Sequence, residues 1–177
     1  LDFLRGQLGV EYQFGENWRA RLSVPYDIKN QDASIEEIDS TTPAQQQAIL
    51  RNQNIHHRDE AYRGFADFNL LISHQMSGIL GDDDYLVASV GTSIPTGKTE
   101  ENPWQLGNAG EEHLHIQFGT GTFNPLVEAS YSRPLSSDFS LSTSVRGLFP
   151  FYENSKTYRS PVELSANAEV KYQAKNW

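Results

Sequence analysis

The sequence predicts an all-β protein, an antiparallel transmembrane β-barrel of the outer-membrane type, on three observations. Long stretches alternate apolar and polar residues with period two, connections alternate between short and long, and aromatic residues gather at both ends of the alternating stretches. The chain has 177 residues, a net charge of -9 and a mean hydropathy of -0.57. No apolar run approaches the roughly 18 residues of a spanning helix, which excludes a helical membrane protein. The 23 acidic residues outweigh 14 basic ones, so little is available to neutralise phosphates and nucleic acid is not an expected partner. Zero cysteines remove disulfides, thiolate zinc sites and cysteine nucleophiles together.

The first alternating stretch, residues 4–14, carries Leu4, Leu8, Val10, Tyr12 and Phe14 on one face and Arg5, Gln7, Glu11 and Gln13 on the other. After a tight connection at 15–17, residues 18–29 repeat the pattern with Trp18, Leu22, Val24 and Tyr26 opposite Arg19, Arg21, Asp27 and Lys29. Further stretches run over 66–76, 85–94, 123–131, 139–151 and 162–172. Each is about twice the length of an ordinary globular strand. Seven strands in a single domain, 1–177, are therefore expected. Connections 15–17, 77–84, 134–138 and 174–176 are short, while loops 31–63, 96–112 and 152–161 are long and polar. Short turns at one end and long loops at the other are the layout of an outer-membrane barrel. A helix is expected only in the first long loop, with Thr42 as cap, Pro43 at the first position and 44–50 as its body.

Aromatic placement decides which face meets lipid. Tyr12, Phe14, Trp18, Tyr131, Phe139, Tyr172 and Trp177 fall beside short turns, and Phe3, Tyr26, Phe149, Phe151 and Tyr152 near long loops. Two such belts, about one tilted strand apart, match headgroup levels separated by roughly 25 Å. The apolar face then points out and the polar face lines the lumen. That assigns Arg5, Glu11, Arg19, Arg21, Asp27, Lys29, Asp67, Asn69, Glu128, Arg146, Glu163, Glu169 and Lys171 to the lumen. Within this set, Asp67 is expected at a constriction, paired with Lys29 or Arg21. The first strand runs into a short turn and so descends, which calls for a strand before it. Residues 174–177 look like a turn followed by a tryptophan that opens another strand, as at 15–18. The chain thus reads as an internal fragment of a barrel of about ten to fourteen strands.

Three segments carry a family likeness: Gly64-Phe65-Ala66-Asp67, Ser93-Ile94-Pro95-Thr96-Gly97-Lys98 and Gln117-Phe118-Gly119-Thr120-Gly121. In order and spacing over residues 64–133 they resemble the outer-membrane transporter family described for the MetA pathway of phenol degradation. The resemblance implies an outer-membrane barrel that passes small, often aromatic compounds, and it supplies no catalytic residues.

Other motifs have structural explanations. Gly91 to Thr99 resembles a phosphate loop but has five residues between its glycines where the motif has four, and no helix follows. Glu111, His113 and His115 share one parity and are weak candidates for a metal, with His56 and His57 as conceivable additions, but no fixed ligand spacing supports a metal. Alternation slips between Phe118 and Phe123, which predicts a β-bulge at 119–121. His74 has outward parity while Ser73, Ser89 and Ser93 point inward, so no nucleophile and base face the lipid together.

The expected function is a channel in the bacterial outer membrane for passive passage of small solutes, with aromatic or hydrophobic ones among them. No enzymatic activity and no cofactor are expected. The expected partners are outer-membrane lipid, lipopolysaccharide and the solutes. The alternative is a barrel that holds a partner protein or filament through its lumen or long loops and does not conduct.

Overall fold

A computed structural model describes residues 2–34, 40–55 and 58–173, with the side chain of Asn54 outside that description. His56, His57 and the expected turn with Trp177 lie outside the described residues. The elements in order are β1 (Asp2–Gln13), β2 (Trp18–Gln31), α1 (Pro43–Ile55), β3 (Glu60–Phe65), β4 (Phe68–Ser77), β5 (Tyr85–Ile94), α2 (Pro103–Ala109), β6 (Asn124–Pro134), β7 (Phe139–Leu148) and β8 (Glu163–Tyr172). All pairings are antiparallel, in the order β1-β2-β4-β5-β6-β7-β8, with β3 also paired to β2.

Eight strands thus occupy seven lanes, because β3 and β4 are two halves of one interrupted strand beside β2. Tyr26 pairs with Phe65 and Ser23 with Asn69, so residues 66–68 face only residues 24 and 25. The cause is Pro25. Its carbonyl accepts from the Ala66 amide at 3.1 Å, so its nitrogen faces the same neighbour and has no hydrogen to donate. The ladder breaks at that point and the partner strand bulges by one residue. Parity flips across the bulge: Phe65 and Phe68 both face outward, while Ala66 and Asp67 between them are both buried. The loop expected over 31–63 therefore ends early, at Glu60, where β3 begins.

The sheet curls with its polar face inside. Arg21 on β2 pairs with Glu128 on β6, three lanes away, a span of roughly 14 Å on a flat sheet. Only a concave polar face brings those side chains together. The result is a curled half-barrel whose convex face exposes Leu4, Leu8, Val10, Val90, Val127, Val145, Leu164 and Val170. The small buried apolar cluster of Leu71, Leu126 and Leu148 sits on the concave face, in one register row across β4, β6 and β7. Among the described residues, no helix is long and apolar enough to cross a membrane.

Aromatic contacts mark both ends of the convex face. At the short-turn end Trp18 lies 6.3 Å from Phe14 and 4.5 Å from His74, and Phe139 lies 4.9 Å from Tyr172. At the other end Phe65 meets Tyr26 at 5.2 Å and Phe68 at 6.0 Å. Phe3 departs from the expected belt. It pairs with Lys29 on the polar face, and its ring lies under the cations of Arg5 and Lys29.

The connections alternate as expected, short at 14–17, 78–84 and 135–138, long at 32–59, 95–123 and 149–162. α1 starts at Pro43 with Thr42 and Gln45 forming a reciprocal capping box, and runs five residues past the expected body. The second long loop differs from expectation. Residues 111–118 form no strand, and the 119–121 glycine segment is a packed loop rather than a strand bulge. That loop instead holds α2, capped by Asn102 before Pro103 and closed by Gly110 in a left-handed conformation at φ 74°.

Candidate functional site

The concave face forms a trough. Register places Arg5 and Glu11 of β1, Arg19, Arg21, Asp27 and Lys29 of β2, Asn69 of β4, Glu128 of β6, Arg146 of β7, and Glu163, Glu169 and Lys171 of β8 on that one face. At mid-height it encloses a cavity of about 560 Å³ lined by Arg19, Arg21, Ser73, Ser89, Glu128 and Arg146 among others. Glu128 is the hub, since Arg146 approaches from the adjacent lane at 3.4 Å and Arg21 from the far wall. Arg19 reaches Glu11 at 3.4 Å and the Gln75 amide oxygen at 3.4 Å. The buried Arg21 Nε donates to no protein group among the described residues. Three guanidinium groups therefore line the cavity with two carboxylates between them.

Nearer the long loops, Asp27 is wholly buried and accepts both arms of Arg5, at 2.6 and 2.8 Å. Lys29 Nζ stands 3.8 Å from the same carboxylate and donates to the Gln117 carbonyl at 2.6 Å. It also lies 4.7 Å from the centre of the Phe118 ring. Lys29 thus pegs the 95–123 loop to the wall.

Asp67 is buried on the same face but does not pair with Lys29 or Arg21, contrary to expectation. Its Oδ1 accepts from the Gly97 amide at 3.0 Å, and its Oδ2 from the Thr120 amide and hydroxyl at 2.7 Å each. The approach requires glycine. A Cβ on Gly119 would lie 2.5 Å from Asp67 Oδ1, and one on Gly97 would lie 2.6 Å from the Gly119 Cα. Behind this latch the Thr120 hydroxyl, Ser93, Thr122 and Asn124 form a buried, mutually satisfied network, with Asn124 Nδ2 donating to Thr120 Oγ1 at 2.8 Å and to Ser93 Oγ at 3.0 Å. A Cβ on Gly64 would lie 3.6 Å from the Phe118 ring, ordinary packing distance. The three segments that carry the family likeness are therefore in mutual contact at one end of the trough.

No metal centre forms among the described residues. His113 is buried, with Nδ1 3.0 Å from the Glu111 carbonyl and its ring against Gly107 of α2, and it stands 5.0 Å from the His115 ring. His74 is stacked on Trp18, and the Ser73 and Ser89 hydroxyls, 2.8 Å apart, bond each other across β4 and β5 on the concave face. The latch residues Gly97 and Thr120 and the peg acceptor Gln117 were not assigned to the site on sequence. Their signal in the sequence is membership of the three segments that carry the family likeness, together with glycines that parity cannot interpret. Comparison with known proteins finds no matching family model, no matching curated protein and no matching solved structure.

Proposed function

We propose that the chain forms the wall of a bacterial outer-membrane β-barrel that passes small solutes passively, as the family resemblance implies. One observation carries the reading: a long-stranded sheet with large apolar side chains exposed along its convex face and a lattice of ion pairs around a 560 Å³ cavity on its concave face. Exposed apolar bands this extensive call for an apolar solvent, and lipid flanked by aromatic belts is that solvent. Ion pairs that keep partners and still leave open volume suit a wet interior better than a filled one. Lys29 and Asp67 pin the 95–123 loop at one end of the trough, away from the residues that line the cavity.

The direct test is reconstitution of the full-length protein in a planar bilayer with measurement of conductance and solute flux. Stepwise conductance is the expected result. Stable insertion without conductance would remove the channel and leave the alternative, a barrel that holds a partner protein or filament. Failure to insert into lipid would remove the membrane reading altogether.

A further inference from the structure

We propose that a pocket at the rim, between α2 and the 149–162 loop, binds one pyranose ring, with the Trp104 indole as its stacking platform. The inference stands apart from conduction, because it concerns loops outside the barrel wall. The pocket holds about 220 Å³ and is lined by Glu100, Glu101, Trp104, His115, Lys156 and Tyr158, among others. Drug-sized sites run to about 300 Å³ and more, so this one suits a single ring.

The two loops that form it are built together. Lys156 Nζ lies 2.8 Å from Glu101 Oε1 and donates to the Thr99 carbonyl at 2.9 Å. The Asn102 amide, which caps α2, also donates to the Thr157 hydroxyl, and Asn154 Nδ2 donates to the Thr120 carbonyl at 3.0 Å. Thr157 is held at φ 60°, a left-handed conformation that is an outlier for a β-branched residue. Strain of that kind persists where surrounding bonds over-determine the backbone, and it gathers at ligand sites.

The lining selects the ligand class. Trp104 leaves 75% of its surface exposed, with His115 edge-on at 6.2 Å. An exposed indole beside polar groups suits a ligand with an apolar C–H face and polar edges. The Glu101 carboxylate accepts hydroxyl hydrogens, with Glu100, itself paired with Lys98 at 2.7 Å, beside it; the Lys156 ammonium donates, and the Tyr158 hydroxyl does either. A bare aromatic ring would desolvate the Glu101–Lys156 pair and return no hydrogen bonds. A pyranose ring supplies both the stacking face and the hydroxyls. It can come as a free glycoside or as the terminal ring of a surface glycan.

Saturation-transfer difference NMR on the full-length protein in detergent tests this with methyl α-D-glucopyranoside, methyl α-D-galactopyranoside, phenol and the oligosaccharide released from lipopolysaccharide. We expect saturable transfer to at least one pyranoside or to the oligosaccharide, with dissociation constants in roughly the millimolar range for a single ring. Trp104→Ala should weaken it at least tenfold and Glu101→Gln severalfold, with far-ultraviolet circular dichroism unchanged. Transfer to the free glycosides identifies a solute, and transfer to the oligosaccharide alone identifies a glycan. Transfer only to phenol, transfer to none of the probes, or binding indifferent to Trp104→Ala would overturn the proposal.

Discussion

Asp27 and Asp67 lie at the long-loop end of the same concave face, both buried, and are satisfied by different chemistry. Asp27 is neutralised by charge: Arg5 grips both oxygens and Lys29 stands behind. Asp67 meets two amides and one hydroxyl. The first joins neighbouring wall strands and keeps its cations close. The second joins the break between β3 and β4 to the 95–123 loop, and neutral donors there fix position without adding charge. Sequence parity places both carboxylates inside, but parity cannot distinguish them. The partner depends on which backbone folds over the site.

Removing the carboxylate of Asp27 should have the largest effect. Asp27→Ala leaves Arg5 and Lys29 without their counter-ion. Breaking a buried pair costs about 3–5 kcal/mol, and the half-exposed Arg5 reduces that to about 2–3 kcal/mol. The midpoint of urea unfolding in detergent or vesicles measures it, and a loss under about 0.5 kcal/mol would contradict the pairing. In a conducting barrel, Asp27→Asn should also shift the reversal potential toward anions, because two cations remain.

Gly119→Ala attacks the other region through packing alone. Its methyl would overlap Asp67 and the Gly97 carbonyl, so the loop must move, at about 1–3 kcal/mol. Faster amide exchange at Thr120, with the wall strands unaffected, is the expected signature.

Asp67→Asn is gentler and sharpens the contrast. Its amide would face the donors that a carboxylate accepts from, loosening the latch by about 1–2 kcal/mol. Exchange at Gly97 and Thr120 should rise while the reversal potential stays put, since no cation is uncovered. A clear anion shift would instead restore the charge-pairing that parity suggests.

A third carboxylate gives the smallest effect. At the short-turn end Asp84 accepts from the amides of Ile79 and Leu80 at 2.8 Å each and from the Tyr131 hydroxyl at 2.9 Å, the same donor set as Asp67. Burial pushes its acidity one way, but the bonds from Tyr131, Leu80 and Ile79 outweigh it and hold the carboxyl below its ordinary value of 3.8. A depressed folded value gives stability that is present above the ordinary value and lost as pH falls through the folded one. The 78–84 turn should therefore lose amide protection only in acid, below about pH 4, and Asp84→Asn should remove that dependence.

Most of the wall is legible in sequence because a two-faced strand writes its orientation into every second residue. The ends of α1 were half legible, since Thr42 and Pro43 announce the start and nothing marks the stop at Ile55. The interrupted strand was missed because its cause, Pro25, sits on the neighbouring strand. Residues 113–118 alternate polar and apolar side chains but join no strand ladder, so periodicity there points to a strand that does not form. α2 carries its signals in Asn102, Pro103 and Gly110, but seven residues with no apolar stripe give periodicity nothing to count. The latch depends on two glycines far apart in sequence meeting backbone to backbone, a contact that no local pattern encodes.

The seven-lane order has a consequence in symmetry. With every neighbour antiparallel, lane direction alternates across the sheet, so β1 and β8 at its two open edges run the same way. The sheet cannot close on itself without a parallel seam. Two copies related by rotation about a common barrel axis fare no better, because each junction would set a β8 beside a β1 of equal direction. A ring of purely antiparallel neighbours that contains this sheet must therefore insert an odd number of further strands between the two edges. Cross-links placed between β1 and β8 of separate copies should accordingly form no ladder-spaced series, whatever the lipid or detergent.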